Sequence, residues 1–295
     1  MKRQTKAYFF AIIVILFWST MSSAFKITLR YIDFPFMLLI ASFSSVLVFF
    51  LILLFQKKII LLRKLKFKDV LHSAFIGFLN PFLYYFVLFK AYTLLMAQEA
   101  GTLNYVWPIV LVLLSIPILK QKIGLKSIIA IFVSFFGIII ISTQGRLFSL
   151  EFTNIYGVLL ALGSALFWAL FWLLNLKDKR EEVSKLFLNF TFGFIYILIT
   201  TFFVSDFSMP ETKGIIGSVY IGIFEMGITY ILWLKALKYS TNTAKVSNLV
   251  FLSPFIALII IRLTVGEEIL FSTFVGLIFI VSGIILQRYF ASSMK

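Results

Sequence analysis

The sequence predicts an all-α integral membrane protein: ten transmembrane helices forming two inverted five-helix repeats around a central cavity. Three observations carry this reading. Of 295 residues, 61% are hydrophobic and only 13% charged, with a mean hydropathy of +1.05; a water-soluble domain carries roughly 25% charged residues. Apolar runs of bilayer length, about 20 residues each, recur along the whole chain and leave no soluble domain over. The second half also repeats the first. Gly77, Tyr85, Lys90 and Ala91 return at one constant offset as Gly222, Tyr230, Lys235 and Ala236. Phe17-Trp18 returns as Phe167-Trp168, Pro108 as Pro254, and Gly137 as Gly283. The copies divide as 1–145 and 146–295, and an odd number of spans in each turns the second over in the bilayer. The spans must be helices, because lipid cannot satisfy an open backbone and the period-2 alternation of a barrel is missing.

The first span, 7–25, has a basic start, Phe17-Trp18 and then Ser22-Ser23-Ala24. That profile also fits a cleaved signal peptide, but cleavage would delete the counterpart of the sixth span and spoil the repeat. The second span is 34–55. The third, 70–91, carries Gly77, Asn80 and Tyr84 and ends at Lys90, which can snorkel to the interface. The fourth, 97–119, holds the string Gln98-Glu99-Ala-Gly-Thr-Leu-Asn104-Tyr105-Val-Trp107-Pro108. The fifth is 126–144. The sixth, 155–175, has a stripe of Gly157, Ala161, Ala165 and Ala169 that lets a neighbour approach. On another face are Ser164, Trp168 and Trp172. The seventh is 186–204. The eighth, 214–235, carries Glu225, Thr229 and Trp233 on one face. The ninth, 243–264, contains Ser247, Asn248, Ser253 and Pro254; the tenth, 269–290, contains Gly276 and Gly283.

Orientation follows from lysine and arginine in the short loops. With the N-terminus in the cytoplasm, 21 of the 27 basic residues fall on the cytoplasmic side. A missed or invented span would destroy that split. Both termini are therefore expected inside, in a bacterial cytoplasmic membrane. Asp178, Glu181 and Glu182 are expected to be solvated among cytoplasmic lysines, and Asp206, Glu211, Glu267 and Glu268 to lie in outer loops. Glu99 is expected near the outer mouth.

An ionisable residue inside a span is costly and points to function. Glu225 is the outstanding case, and its repeat mate Asn80 lies at the same depth. Their faces, with Tyr84 and Thr229, are expected to line one cavity. Glu225 would hold a substrate ammonium group or exchange a proton; the structural alternative is a carboxyl bonded to a neighbouring helix. Pro108 and Pro254 each remove a backbone donor and are expected to kink their helices at matching depths. Trp18 and Trp168 lie deeper than interfacial anchors do. The substrate-binding set is thus Trp18, Asn80, Tyr84, Asn104, Tyr105, Trp107, Trp168, Glu225 and Thr229.

Several classes are excluded. The chain has no cysteine and one histidine, His72, so thiolate and histidine metal sites are not expected. No phosphate-binding loop is present and no catalytic constellation sits within the spans, so neither an enzyme nor a cofactor is expected. The net charge of +15 sits in short inter-span segments, which argues against nucleic acid. The expected partners are a small-molecule substrate and the lipid bilayer; a homodimer is compatible with the sequence.

These features together resemble the drug/metabolite transporter superfamily in its ten-span, EamA-like branch. The resemblance covers essentially the whole chain, including Gly266-Glu267 after the ninth span. Leu16-Phe17-Trp18-Ser-Thr-Met and Glu99-Ala-Gly-Thr-Leu-Asn104-Tyr105-Val-Trp107-Pro108 are similar to the YddG-type exporters of aromatic amino acids. The resemblance implies a secondary transporter that exports small metabolites, amino acids first among them, by alternating access. Two departures stand out: Lys120-Gln121-Lys122 replaces a Gly-Glu after the fourth span, and Glu225 is foreign to the YddG-type pattern. Proton-coupled drug or amine efflux is the alternative, and a non-transporting scaffold or receptor the alternative of another class.

Overall fold

A computed structural model describes residues 3–119, 125–147, 154–205, 210–240 and 249–292. Lys120, Gln121, Lys122, Asp206, Ser247 and Asn248 lie outside the described residues. The helices are α1 (Arg3–Thr28), α2 (Phe34–Phe55), α3 (Phe67–Leu94), α4 (Ala97–Ile118), α5 (Leu125–Ser142), α6 (Ile155–Lys177), α7 (Glu182–Val204), α8 (Thr212–Tyr239), α9 (Val250–Thr264) and α10 (Phe271–Ser292). Among the described residues, seven helices are long and apolar enough to cross a membrane: α1 to α4 and α6 to α8. The fifth, ninth and tenth expected spans fall on the shorter apolar stretches Ile129–Ser142, Val250–Thr264 and Phe271–Leu286.

Polarity is distributed inside out relative to a water-soluble protein. Phe55, Phe203 and Phe271 are about 80% exposed, while Ser19, Asn80, Gln98 and Thr229 are fully buried. Apolar side chains on the outside suit lipid, and polar ones find their partners within.

The packing crosses between the halves. α1 lies against the later part of α8 and against α9, and α6 lies against the later part of α3 and against α4. α2 packs on α7 and on the first part of α8, and α7 also packs on the first part of α3. α5 and α10 pair along their lengths. Glycines permit the tightest crossings. A Cβ at Gly77 would collide with the Asn189 carbonyl of α7, and one at the matching Gly222 with the Ala41 carbonyl of α2.

Four helices depart from regular α-geometry along their length. In α3 a π-helical stretch, Phe78–Leu83, contains an extended Asn80 (φ −152°, ψ 121°) followed by Pro81. In α8 the matching stretch Ile221–Ile228 is also π-helical and carries Glu225. The helix containing Asn80 is therefore not continuous, and Asn80 and Tyr84 do not share a regular helical face. α4 breaks at a turn between Ala97–Asn104 and Trp107–Leu119, and α9 passes from a 3₁₀ turn, Val250–Leu252, into Ser253–Thr264. Pro108 and Pro254 open the second segments. Proline costs no hydrogen bond in a first turn, so these two mark helix starts rather than kinks within a continuous helix.

Candidate functional site

The irregular helices converge on a chamber of about 100 Å³. The first half contributes Trp18 from α1, Tyr84 from α3, and Asn104, Tyr105 and Trp107 from α4. The second half contributes Trp168 from α6, Glu225 from α8, and Ser253 and Pro254 from α9. Seven of the nine expected binding residues are thus brought together. Asn80 and Thr229 are not in the wall; they stand one layer behind it, fully buried. Pro108 is buried and also lies outside the lining.

The aromatic wall is held in place by its neighbours. The Tyr84 and Trp168 rings lie 4.7 Å apart, and Trp107 meets Trp168 edge to face at 6.5 Å. The Tyr84 hydroxyl donates to Asn104 Oδ1 (3.3 Å), and Asn104 Nδ2 donates to Ser164 Oγ (2.8 Å). Asn104 is therefore oriented by a side chain of the other half.

Behind the wall runs a buried chain of hydrogen bonds. Asn80 Nδ2 donates to the Tyr230 hydroxyl (3.0 Å), the Tyr85 and Tyr230 hydroxyls meet at 3.4 Å, and Tyr85 donates to Glu225 Oε1 (3.2 Å). A hydroxyl has one hydrogen. Since Tyr85 gives its own to Glu225, Tyr230 must give its own to Tyr85. Every donor in the chain therefore points toward the carboxyl group. Asn80 and Glu225 are repeat mates, and so are Tyr85 and Tyr230, so each bond in this chain joins one half to the other. Among the described residues, Glu225 Oε2 and Asn80 Oδ1 are buried without a hydrogen-bond partner. Thr229 donates to the Glu225 carbonyl (2.7 Å) and Ser45 to the Met226 carbonyl (2.8 Å), satisfying backbone groups of the π-helical stretch. Tyr85, Tyr230 and Ser45 were not in the expected set. The constant offset joining Tyr85 to Tyr230 was the available signal for the pair.

A second cavity of about 630 Å³ adjoins the chamber. The two share Trp18, Trp107, Trp168 and Val250. The larger one is also lined by Trp172, Asn175, Asp178, Arg180, Lys185 and Trp233, at the end of the bundle where the 178–181 loop lies. It forms a vestibule, and the indoles separate it from the chamber. Asp178 is not solvated as expected. Its side chain is only 4% exposed, and Arg180 Nη2 reaches it at 2.6 Å. Burial pushes its carboxyl up, but the side-chain and backbone hydrogen bonds from Arg180 outweigh this and hold it below the usual range. Glu181 behaves alike: burial raises its carboxyl, and bonds from Lys58 and Ser184 bring it below the ordinary value.

The opposite end is cross-linked by hydrogen bonds. Ala97 and Gln98 N–H donate to the two oxygens of Glu267 (2.8 and 3.2 Å), a carboxylate at a helix N-terminus. The Gln98 amide donates to the Glu268 carbonyl (2.8 Å) and accepts from Leu270 N–H (3.0 Å). Lys26 Nζ donates to the Tyr92 and Leu95 carbonyls (2.9 and 2.6 Å). Glu99, expected near a mouth, is 1% exposed and accepts from Gln144 Nε2 (3.3 Å).

The model of the EamA-like transporter family matches residues 5–143 and again residues 155–289. The chain belongs to this family. EamA-like proteins are transporters, not enzymes. An "uncharacterized transporter" of Clostridium kluyveri is 28% identical over 293 residues, covering 96% of this chain and 93% of that one. The Bacillus subtilis transporter YvbV is 25% identical over 212 residues, covering 70% of this chain and 65% of its own. An Archaeoglobus fulgidus transporter is 22% identical over 269 residues, covering 90% and 92%. A solved crystal structure superposes with a TM-score of 0.68 at 19% identity, covering 99% of both chains. At that identity the likeness concerns the fold alone.

Proposed function

We propose that this EamA-like protein is a ten-span secondary transporter of two inverted repeats, 1–145 and 146–295, with both termini in the cytoplasm. It carries small amphipathic metabolites bearing an amino group out across a bacterial cytoplasmic membrane, amino acids being the first class to test. The observation that carries this reading is a chamber walled by both halves, adjoining a vestibule at one end and cross-linked by hydrogen bonds between the halves at the other. Inverted repeats around a mid-bilayer site are the architecture of alternating access. The twofold family match and the crossed packing of α1 with α8 and of α6 with α3 support the repeat.

Purified protein in liposomes should move labelled amino acids or amines down their gradients. No flux of any member of such a panel would refute transport and favour a scaffold or receptor. A second reading, proton-driven amine or drug efflux through Glu225, is favoured by its unpartnered Oε2. Flux that stops when a pH gradient is collapsed would select it.

A further inference from the structure

We propose that the chamber is built for an organic monocation, an amine on an aromatic or apolar body without a carboxylate, and discriminates against the corresponding amino acid. This rests on the reading of the chamber as the transported-substrate site and narrows what it carries.

The argument begins with charge. Glu225 is the one ionisable carboxyl in the chamber wall among the described residues, and no lysine, arginine or histidine lines it there. Lys179 lines the vestibule but not the chamber, and the other nearby cations are engaged elsewhere. Lys26 is committed to the Tyr92 and Leu95 carbonyls. Lys185 and Arg180 line the vestibule and are bonded to the Asn175 and Asp178 carbonyls and to the Asp178 carboxylate. A substrate carboxylate entering the chamber would give up its water without a counter-charge, which disfavours its entry. It would also lie in the same small space as Glu225.

Helix starts could replace a cation, since free N–H groups hold anions, and two begin at the wall. Neither offers a row of donors. Pro108 and Pro254 have no N–H. Around them Val106 N donates to the Leu103 carbonyl, Ile109 N to the Val106 carbonyl, and Ser253 N to the Val250 carbonyl. The repeat-matched prolines thus remove one backbone donor at each helix start, and the wall offers a carboxylate neutral hydroxyl and indole donors but no cation among the described residues.

An ammonium group meets the opposite conditions. The donor chain from Asn80 ends on Glu225 Oε1 and leaves Oε2 unpartnered. Trp18, Trp107, Trp168 and Tyr84 present aromatic surface around the same space, which favours a cation and its apolar body. The chamber of about 100 Å³ suits the head of such a molecule, and the indole layer leads to the vestibule for its body.

The test uses four ligands with one phenyl ring and similar chains: 2-phenylethylamine, phenylalanine, 3-phenylpropionate and the uncharged 2-phenylethanol. Binding to the purified full-length protein is read by tryptophan fluorescence, because three tryptophans line the chamber. The amine should bind at least ~10-fold more tightly than phenylalanine, the scale of one charge-assisted hydrogen bond, and phenylpropionate should bind least. Glu225→Gln should remove the advantage of the amine over 2-phenylethanol while retaining 2-phenylethanol binding, which reports an intact chamber. Phenylalanine equal to or better than the amine in the wild type would overturn the inference and leave the transporter reading standing. An unchanged amine preference in Glu225→Gln would also overturn it. Silence of all four ligands, with no flux of any amine or amino acid in liposomes, would remove the chamber reading and this inference with it.

Discussion

The two ends of the bundle are built from the same kinds of residue and behave differently. At the closed end, bonds cross the chamber roof: the start of α4 is held by Glu267 and by the backbone of Glu268 and Leu270. At the vestibule end, the bonds run around a rim. Lys58 reaches Glu181 at 2.7 Å, Arg180 reaches the Asp69 carbonyl at 2.9 Å, and Arg3 reaches the Lys238 carbonyl at 3.2 Å. Roof bonds block a path, whereas rim bonds brace the walls of one. If the protein alternates access as proposed, the difference says where the change acts. Opening the roof breaks a handful of polar contacts, whereas closing the vestibule brings tryptophans and charged side chains together around a cavity of about 630 Å³.

The strongest way to break this comparison is to remove the roof. Gln98→Ala together with Glu267→Ala deletes four bonds between the halves. Since the chain has no cysteine, a single Ser22→Cys in the chamber wall is a clean reporter. Labelling of that thiol by an impermeant reagent from the closed side should rise by ~10-fold or more in the double variant, taking about 1 kcal/mol or more per bond. An unchanged rate would mean that these bonds are not what keeps the end shut.

The indole layer between the cavities gives a smaller effect. Trp168 touches Tyr84, Trp107, Trp172 and Tyr230. Trp168→Phe keeps a ring but shortens the partition, and should speed labelling of Ser22→Cys from the vestibule side by ~3–10-fold, the worth of one or two ring contacts. The closed-side rate should not move. Equal acceleration from both sides would show general loosening rather than a partition.

Much of this was legible in the sequence because membrane physics writes large signals. Apolar runs pointed to helices, seven of them of membrane-crossing length among the described residues, and a constant offset marked Asn80 and Glu225 as corresponding positions. Seven expected binding residues do meet in the chamber wall. What was not legible was fine-grained. With 37 Phe and 12 Tyr in the chain, Tyr85 and Tyr230 stood out only by their shared offset, which marks a repeat position and not a hydrogen bond. Pro81 stood inside the repeat string, yet its consequence, an extended Asn80 behind the wall, depends on how α7 packs against the break. Pro108 and Pro254 are prominent as prolines, but only the chain path distinguishes a kink from a new helix start. Asp178 looked like a surface charge because its burial depends on a turn that brings Arg180 back onto it.

The smallest predicted effect sharpens the contrast between rim and roof. Asp178 accepts from Arg180 Nε and Nη2 (3.0 and 2.6 Å) and sits in the vestibule rim. Its carboxyl is held below the usual aspartate range in the folded protein, so the folded state favours the ionised form. That contribution is present above the unfolded value, about 3.9, and is lost as pH falls through the lower folded value. Asp178→Asn should therefore cost about 1 kcal/mol of stability near neutral pH, with the gap to the wild type narrowing as the pH falls below about 4. Thermal melts of both proteins in detergent across that range measure it. Labelling of Ser22→Cys from the closed side should be the same with and without the substitution, because a rim bond supports the fold without choosing which end is open. A melt difference that widens on acidification would contradict the lowered Asp178 value, and a closed-side rate that changes with Asp178→Asn would put the rim and the roof in one mechanical unit.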